Sequence, residues 1–418
     1  MKPAPLVKSG DLTREFVEAY SHALNEDAWM LSRRLEALRV FRDTPAPNRY
    51  DELWRRVDLS RLKLDQLLAA IQPGAEGAVA SHFAPLSNDD LRKQGVTFAS
   101  LEEAARAHQD LLDKYLMSEC VKLTDSYFAA LHGVFMRGGT VLHVPAGVKI
   151  AEPFRTSAVM ATSARAGFNH TLIVIEAGAK ATLIEEFKSE TGAEQALYNG
   201  SVEIILRDGA ELDYVNIQDW GRNVWNFTTE RAHVGAGASL HWVMGGIGAK
   251  FTKSLIEADM LGANGLALLS GVYFADAKQQ FHYDTQQNHI AEGCKSDLLY
   301  KAALRDEART VWRGNIRVFP GAQKTDSYQA NRNLQLSHKS RADSIPGLEI
   351  EADDVRCTHG ATVGQIEEEP MFYLASRGVP ENDARRLIVE GFFAPVIERI
   401  PLEETRERLI EEIGKKIG

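Results

Sequence analysis

Glycine turns recur at a nearly fixed spacing through the middle of this sequence, and this spacing constrains the fold more than any other feature. Short β-rich runs alternate with glycine–alanine turns between about residues 134 and 364. Successive central glycines lie 31, 31, 28 and 28 residues apart, at Gly147, Gly178, Gly209, Gly237 and Gly265. Units of this length predict a solenoid whose turns stack into one core. A β-sandwich is the alternative, but its turns come roughly every 8 to 12 residues.

Helical patterns flank this β-rich region. Residues 11 to about 130 show apolar side chains at helical spacing, and Ser100 with Glu103 forms a candidate capping box. The pattern after Glu367 is helical to the end of the sequence. We therefore predict a mainly β fold, a right-handed parallel β-helix over residues 134–366, with helical domains over 1–133 and 367–418.

The C-terminal helical segment contains more apolar surface than so short a segment can bury alone. Four of its apolar residues lie close together, namely Phe392, Phe393, Val396 and Ile397. This density predicts that the segment docks on another surface.

Composition excludes several classes of protein. The 418 residues include 48 basic and 58 acidic side chains, giving a net charge of −10, and no basic block is present. Nucleic acid and anionic membrane surfaces are therefore not expected partners. No apolar run approaches the length of a membrane span. Three cysteines, Cys120, Cys294 and Cys357, are too few for a disulfide framework or a zinc ribbon. We expect a cytoplasmic protein, with Cys120 in the core and Cys294 exposed after a glycine turn.

The most reactive pair of residues lies in the stretch from Leu348 to Ile366, LEIEADDVRCTHGATVGQI. Alternating apolar and acidic residues predict a strand, and on its continuation Cys357 and His359 share one face. Same-face neighbours in a strand lie about 6.6 Å apart, so a thiolate and an imidazole can converge on one metal ion. A buried cysteine beside an ordinary histidine is the competing interpretation, and C-x-H alone is a weak signal. Two ligands also leave about half of a tetrahedral shell unfilled.

Other candidate sites are weaker. The glycine-rich segment VMGGIGAKFT is not a phosphate-binding loop, because Ala249 separates Gly248 from Lys250. This chain is therefore not expected to bind nucleotide, and any energy must come from a partner. His282 and Asp284 share a strand face, with His289 beyond, but polar residues on the outer face of a solenoid explain them equally well.

Three long segments give the chain a resemblance to a known family. They are TVWRGNIRVFPGAQKTDSYQANRNLQLS (310–337), LEIEADDVRCTHGATVG (348–364) and MFYLASRGVPENDARRLIVEGFF (371–393). In these segments the chain resembles the SufB/SufD family of iron–sulfur cluster assembly scaffold proteins, and within it the SufD type. SufB members carry a cysteine in the segment that matches residues 330–337, which contains none here.

The resemblance implies a non-catalytic scaffold subunit of a SufB–SufC–SufD complex. It implies pairing with a SufB-type scaffold through the β-helix and binding of the SufC ATPase through the C-terminal helices. A homodimer of the isolated chain stays open. It further implies that His359, with Cys357 beside it, holds iron or a nascent iron–sulfur cluster transiently at the junction with SufB. A carbohydrate-active parallel β-helix enzyme, a lyase or hydrolase, is the alternative function.

Overall fold

The structure, a computed structural model that describes residues 12–85 and 90–417, places a β-solenoid of about eight turns at the centre of the chain. The strands, in chain order, are β1 (Val79–Phe83), β2 (Thr97–Ser100), β3 (Gly139–Val144), β4 (Phe154–Met160), β5 (Ala166–Gly167), β6 (His170–Ile175), β7 (Lys180–Lys188), β8 (Ala196–Leu206), β9 (Glu211–Asp219), β10 (Val224–Val234), β11 (Ser239–Gly246), β12 (Phe251–Met260), β13 (Leu266–Ala275), β14 (Gln280–His289), β15 (Lys295–Leu304), β16 (Arg309–Val318), β17 (Asp326–Gln335), β18 (Arg341–Ile350) and β19 (Arg356–Gln365).

Each turn of the solenoid adds one strand to each of two parallel sheets. Sheet A has the order β1-β4-β7-β9-β11-β13-β15-β17-β19, and sheet B has the order β18-β16-β14-β12-β10-β8-β6-β3-β2. From β7 onward, neighbouring strands pair in parallel over most of their length, so side chains at equivalent positions stack along the axis. The main apolar core lies between the sheets. The predicted parallel β-helix is confirmed, and the alternative β-sandwich is wrong.

The glycine period has the expected cause at four of its five positions. Gly147, Gly178, Gly209 and Gly237 have φ between 61° and 75°, the left-handed region that glycine enters without strain. At the next corner, Asn264 with φ 59° adopts this conformation instead of Gly265. Asparagine tolerates the left-handed region better than other residues with a side chain, so the period continues without glycine at that position.

The helices lie outside the sheets. They are α1 (Arg14–Ala23), α2 (Ala28–Asp43), α3 (Leu64–Ala69), α4 (Asp90–Lys93), α5 (Leu101–Ala107), α6 (Gln109–Tyr115), α7 (Tyr127–Phe135), α8 (Glu368–Ser376), α9 (Glu381–Ile397) and α10 (Glu403–Ile417). Among the described residues, none of these helices has the length and apolar character needed to cross a bilayer.

The N-terminal region is not purely helical. The short strands β1 and β2 pair antiparallel with β4 and β3, and so end the two sheets on that side. Strands of four or five residues are too short to show a period, which is why the sequence indicated helix throughout. The predicted capping box is confirmed, because the Ser100 hydroxyl accepts from the Glu103 N–H at 3.3 Å and a Glu103 carboxylate oxygen accepts from the Ser100 N–H at 3.0 Å.

Helix α7 joins the N-terminal region to the outer face of sheet B. The ring of Phe128 stacks on Phe227 of β10 with centroids 3.9 Å apart, and Trp54 packs beside both. These residues belong to one apolar cluster that includes side chains of α1 and α2. The N-terminal helices are therefore fixed to the solenoid by a core of their own.

The C-terminal helices pack on the outer face of sheet A. Phe393 and Val396 are fully buried and Ile397 is nearly so, in contact with a row of apolar side chains on the sheet that includes Val243 and Phe274. The predicted surplus of apolar surface thus covers the chain's own solenoid. The predicted docking of Phe393, Val396 and Ile397 is therefore onto the chain's own sheet A, a choice that residue density alone could not make because it does not distinguish an internal partner from an external one.

In the part of the chain that the structure describes, no strand covers the C-terminal end of the solenoid as β1 and β2 cover the other end. Strands β18 and β19 are the last strands of sheets B and A, and each is 10 residues long. Most side chains of this last turn are exposed or half-buried, including Ile350 at 43% and Val363 at 46%. This uncapped end carries the sequence-predicted site.

Candidate functional site

The stretch from Leu348 to Ile366 forms two strands rather than one. β18 ends at Ile350, residues 351–355 turn the chain, and β19 begins at Arg356 on the opposite sheet. The alternating pattern suggested a continuous strand because the corner residues continue the alternation of apolar and acidic side chains. Leu348 and Cys357 therefore lie on different sheets, and both pack against the small buried cluster of Ile316, Val318 and Ala322.

The predicted shared face of Cys357 and His359 is present in β19. Cys357 is in register with Ser327 of β17, and His359 is in register with Gln329. Ser327 and Gln329 are buried between the sheets, so Cys357 and His359 also lie on the inward face of the solenoid. Cys357 is half-buried and His359 is exposed, because no further turn covers them. The two side chains can therefore be reached from the uncapped end.

The electrostatic setting of Cys357 favours the neutral thiol. Burial, and then the negative charge of Asp326, raise the pKa of the Cys357 thiol. A metal ion must displace this proton before the sulfur can act as a strong ligand. Imidazole is the commonest metal ligand in proteins, so we take His359 as the first ligand of the pair.

The described part of the chain does not complete a metal site around this pair. Within residues 12–85 and 90–417, no group of three or more His, Cys, Asp or Glu side chains is arranged to hold a metal ion. Cys357 and His359 can supply two donors, and a tetrahedral centre requires about two more. Within the described residues, the pair is therefore a partial site.

Polar side chains continue inward from the pair. Ser327 lies 2.7 Å from Ser296 between hydroxyl oxygens, and Ser296 lies 2.9 Å from Nε2 of His289. Gln329 donates to the carbonyls of Gly314 and Gly347, at 3.3 and 2.9 Å. The interior behind the site is thus hydrophilic, and sequence reasoning missed it because these polar side chains lie on three different strands, β14, β15 and β17.

His282, Asp284 and His289 do not form one site. His282 and Asp284 lie on the outer face of β14, whereas His289 points into the solenoid. The expected solvated position is wrong for His282, which is 1% exposed beneath the N-terminal region. Asp284 forms an ion pair with Lys253, whose ammonium group also donates to the Leu53 carbonyl at 2.7 Å. This pair fastens the N-terminal region to sheet B.

The other two cysteines are structural. Cys120 is buried, as predicted. Cys294 was expected to be exposed, but it is fully buried in the main core and its thiol lies 3.3 Å from the Gly262 carbonyl. The corner that follows the glycine folds back over the core, and the sequence shows only that a turn is present.

A second exposed feature lies on the C-terminal helices, and sequence reasoning missed its residues. Phe372 and Tyr373 of α8 are 75% and 57% exposed, and Leu387 of α9 is 51% exposed. Phe372 also lines a groove of about 610 Å³ between α8, α9 and the corner that precedes β18. Large exposed apolar side chains next to a groove are typical of an interaction surface.

Sequence comparisons identify the class to which this fold and end site belong. Residues 158–392 match the family model described as "SUF system FeS cluster assembly, SufBD core domain", and residues 78–156 match "SufBD protein N-terminal region". The core model alone covers more than half of the chain. The chain therefore belongs to the SufB/SufD family of iron–sulfur cluster assembly proteins, and this membership favours iron–sulfur cluster assembly over the carbohydrate-active alternative.

Individual relatives agree with this assignment. The chain is 28% identical to the iron–sulfur cluster assembly protein SufD of Bacillus subtilis, over 97% of this chain and 98% of that protein. It is also 28% identical to SufB of the same organism, over 97% and 94% of the two chains. A SufBD family protein of Staphylococcus aureus matches to the same extent. The near-complete match to SufD supports the SufD type.

Proposed function

We propose that this chain is a non-catalytic scaffold subunit that holds iron or a nascent iron–sulfur cluster jointly with a SufB-type partner. His359 is the first ligand from this chain, and Cys357 is a second donor. The proposal rests on one observation: both side chains lie on the inward face of the last strand of an uncapped solenoid, with the remaining ligands still to be supplied. The cluster is the cargo of this site rather than a resident cofactor.

The ligand role is tested by co-expressing the chain with the SufB-type protein and the SufC-type ATPase of the same organism. His359→Ala removes an exposed side chain, so the complex should assemble while the iron and acid-labile sulfide that it accumulates fall severalfold. Thr358→Ala, on the opposite face of the same strand, is the matched control and should retain the parental content. Parental iron and sulfide in His359→Ala would exclude His359 as a ligand.

Cys357 requires two substitutions because it both packs and carries a thiol. Cys357→Ser keeps the size but provides a poor ligand for iron, whereas Cys357→Ala leaves a small cavity against Ile316 and Val318 that costs about 1 kcal/mol. Loss of cluster in both variants, with a fall in stability in Cys357→Ala, is expected for a ligand. Loss in Cys357→Ala alone would indicate that the residue only packs.

We further propose that α8 and α9 bind the SufC-type ATPase through Phe372, Tyr373 and Leu387. The exposure of these three side chains supports this proposal. Phe393 and its apolar neighbours do not contribute to it, because sheet A covers them. Phe372→Asp combined with Leu387→Asp should abolish ATPase binding and leave the thermal unfolding transition unchanged. Leu261→Asp, an exposed apolar position on a solenoid corner, is the control. Retained binding by the double variant would contradict this docking surface.

This division of roles assigns ATP hydrolysis to the partner. The isolated chain should neither bind ATP tightly nor hydrolyse it, because its glycine-rich segment lacks the spacing of a phosphate-binding loop. Turnover that persists after removal of contaminating ATPase would contradict the proposal.

A further inference from the structure

A buried lysine on the outer face of sheet A has no carboxylate partner among the described residues. Lys301 of β15 is 5% exposed, and its ammonium group donates to the Phe392 carbonyl of α9 at 2.5 Å and lies 4.7 Å from the centre of the Phe392 ring. An ammonium group has three donors, so two of them have no partner in the part of the chain that the structure describes. Burying a charge without a partner of opposite sign is unfavourable.

The charges that act on Lys301 are positive as well. Arg332 of β17 is in register with Lys301, and Arg399 follows the end of α9. Burial, and then the charges of Arg332 and Arg399, lower the pKa of the Lys301 ammonium group to about 8. Arg399 is itself compensated, because it pairs with Asp297 at 3.4 Å and donates to the Ser270 hydroxyl at 2.9 Å. Lys301 and Arg332 therefore leave an excess of positive charge at one place in a chain whose net charge is −10.

These two cations form a row with a hydroxyl group across three neighbouring strands. Lys301, Arg332 and Thr362 are in register on β15, β17 and β19. The side chain of Arg332 lies on the outer face of sheet A, because its neighbours Asn331 and Asn333 are buried in the interior. Neighbouring strands lie about 4.8 Å apart, so donors from adjacent strands can bond different oxygens of one tetrahedral anion. The planar fork of an arginine fits two such oxygens.

We propose that Lys301 and Arg332 bind a doubly charged tetrahedral oxyanion, inorganic phosphate, on the outer face of sheet A beside α9. Thr362 supplies a hydroxyl donor, and Arg399 adds positive charge nearby. A divalent anion is favoured over chloride or a carboxylate because it offsets the charge of both Lys301 and Arg332. The site lies on the opposite face of the sheet from the candidate cluster ligands, so this binding does not depend on the proposed function.

Urea unfolding of the isolated chain at constant ionic strength measures this binding. When a ligand binds only the folded chain, the folding equilibrium constant rises in proportion to ligand concentration above Kd. We expect a nearly tenfold rise for each tenfold increase in phosphate above about 1 mM, at about pH 7.5 with chloride as the balancing anion. Phosphate also stabilises folded proteins through its exclusion from their surfaces, so the comparison with variants is decisive.

Two substitutions should weaken phosphate binding by about tenfold or more, Lys301→Met and Arg332→Gln. Lys301→Met keeps an apolar stem beneath α9 and removes a buried charge, so this variant should fold at least as stably as the parent in chloride. The matched control is Arg341→Gln, which removes an exposed arginine paired with Asp343 and should bind phosphate like the parent. Equal phosphate dependence in the parent and Arg332→Gln overturns the inference. Stabilisation by acetate equal to that by phosphate also overturns it, because a carboxylate would then suffice.

Sulfate distinguishes the role of Lys301 from that of the arginines, because sulfate keeps its double charge across the accessible pH range. The charged groups around Lys301 are Arg332 and Arg399, with Asp297 paired to Arg399, and arginine side chains stay protonated throughout. Sulfate affinity should be constant below about pH 8 and should fall by up to about tenfold per pH unit above it, as Lys301 releases its proton. Lys301→Met should bind sulfate weakly and without this dependence. A parental sulfate affinity that is unchanged across pH 8 overturns the inference.

Discussion

Nε2 of His132 lies 3.0 Å from Nδ1 of His170, and neither ring is accessible to solvent. Nδ1 of His132 lies 2.9 Å from the Asn199 carbonyl, which can only accept, so this nitrogen carries the hydrogen. Nε2 of His132 then accepts from His170, whose own Nε2 lies 3.0 Å from the Glu203 carboxylate. This row of three side chains, His132, His170 and Glu203, joins α7 to strands β6 and β8.

Acid should destabilise the fold through buried histidines. Burial, with the nearby charge of His170, lowers the pKa of His132 to about 3, and burial lowers the pKa of His282 to about 3 and of His289 to about 4. The unfolded chain binds these protons near pH 6.5 and the folded chain does not, so stability is lost as the pH falls from about 6.5 toward 4. The slope is about 1.4 kcal/mol per pH unit for each histidine.

Urea unfolding at several pH values measures this slope. His132→Gln should lower the slope of unfolding free energy against pH by about 1.4 kcal/mol per pH unit, the contribution of one proton. The control is His338→Gln, at an exposed position in the corner before β18. A slope that is unchanged in His132→Gln would show that His132 is protonated in the folded protein.

Glu203 should contribute strongly to stability because it satisfies main-chain groups of the N-terminal region. Its two carboxylate oxygens accept from the N–H groups of Met117 and Val121, at 2.6 and 2.8 Å, in a fully buried setting. Glu203→Ala leaves both donors and His170 without an acceptor and should cost about 3 kcal/mol or more of unfolding free energy.

The control for Glu203 is a carboxylate in a more accessible ion pair. Glu119 bonds to Arg207 at 3.0 Å with about a third of each side chain exposed. Glu119→Gln should change the unfolding free energy by no more than about 1 kcal/mol. Equal effects of the two substitutions in urea would contradict the role of Glu203.

Glu230 should destabilise the fold as the pH rises to neutrality. Burial raises its pKa to about 7, although the Thr228 hydroxyl donates to it at 2.6 Å and the Asn216 amide at 3.2 Å. The folded chain holds a proton that the unfolded chain releases near pH 4.5, so stability falls as the pH rises from about 4.5 through 7. Glu230→Gln removes this loss and should gain up to about 3 kcal/mol relative to the parent at pH 8. If the unfolding free energies of Glu230→Gln and of the parent changed with pH in parallel, the raised pKa of Glu230 would be contradicted.

The C-terminal helices allow a direct comparison of a buried and an exposed phenylalanine. Phe393 is fully buried against sheet A, so Phe393→Ala should cost about 3–5 kcal/mol. Phe372 is 75% exposed, so Phe372→Ala should change stability by about 0.5 kcal/mol or less. Thermal or urea unfolding of both variants distinguishes them, and a larger effect at Phe372 would contradict this packing.

The sequence predicted the features that repeat and missed those that depend on distant partners. The solenoid follows from the glycine period, and the shared face of Cys357 and His359 follows from alternation within one strand. The corner at residues 351–355 was missed because its residues continue the alternation. The row from His132 to Glu203 was missed because its members lie 38 and 33 residues apart along the chain.

The number of residues in the corner between β18 and β19, which is five, sets which side chains of β19 face the interior at the uncapped end. If one residue were deleted from 351–355 and Arg356 took its place in the corner, the register of β19 on β17 would shift by one residue and every side chain of β19 would move to the opposite face. Thr358 would then point inward and His359 outward, and a different set of main-chain groups would face the open end. A two-residue deletion would return the side chains of β19 to their original faces, because side chains in a strand alternate with period two. The spacing of this corner, which contains none of the candidate ligands, therefore determines whether those ligands face the interior.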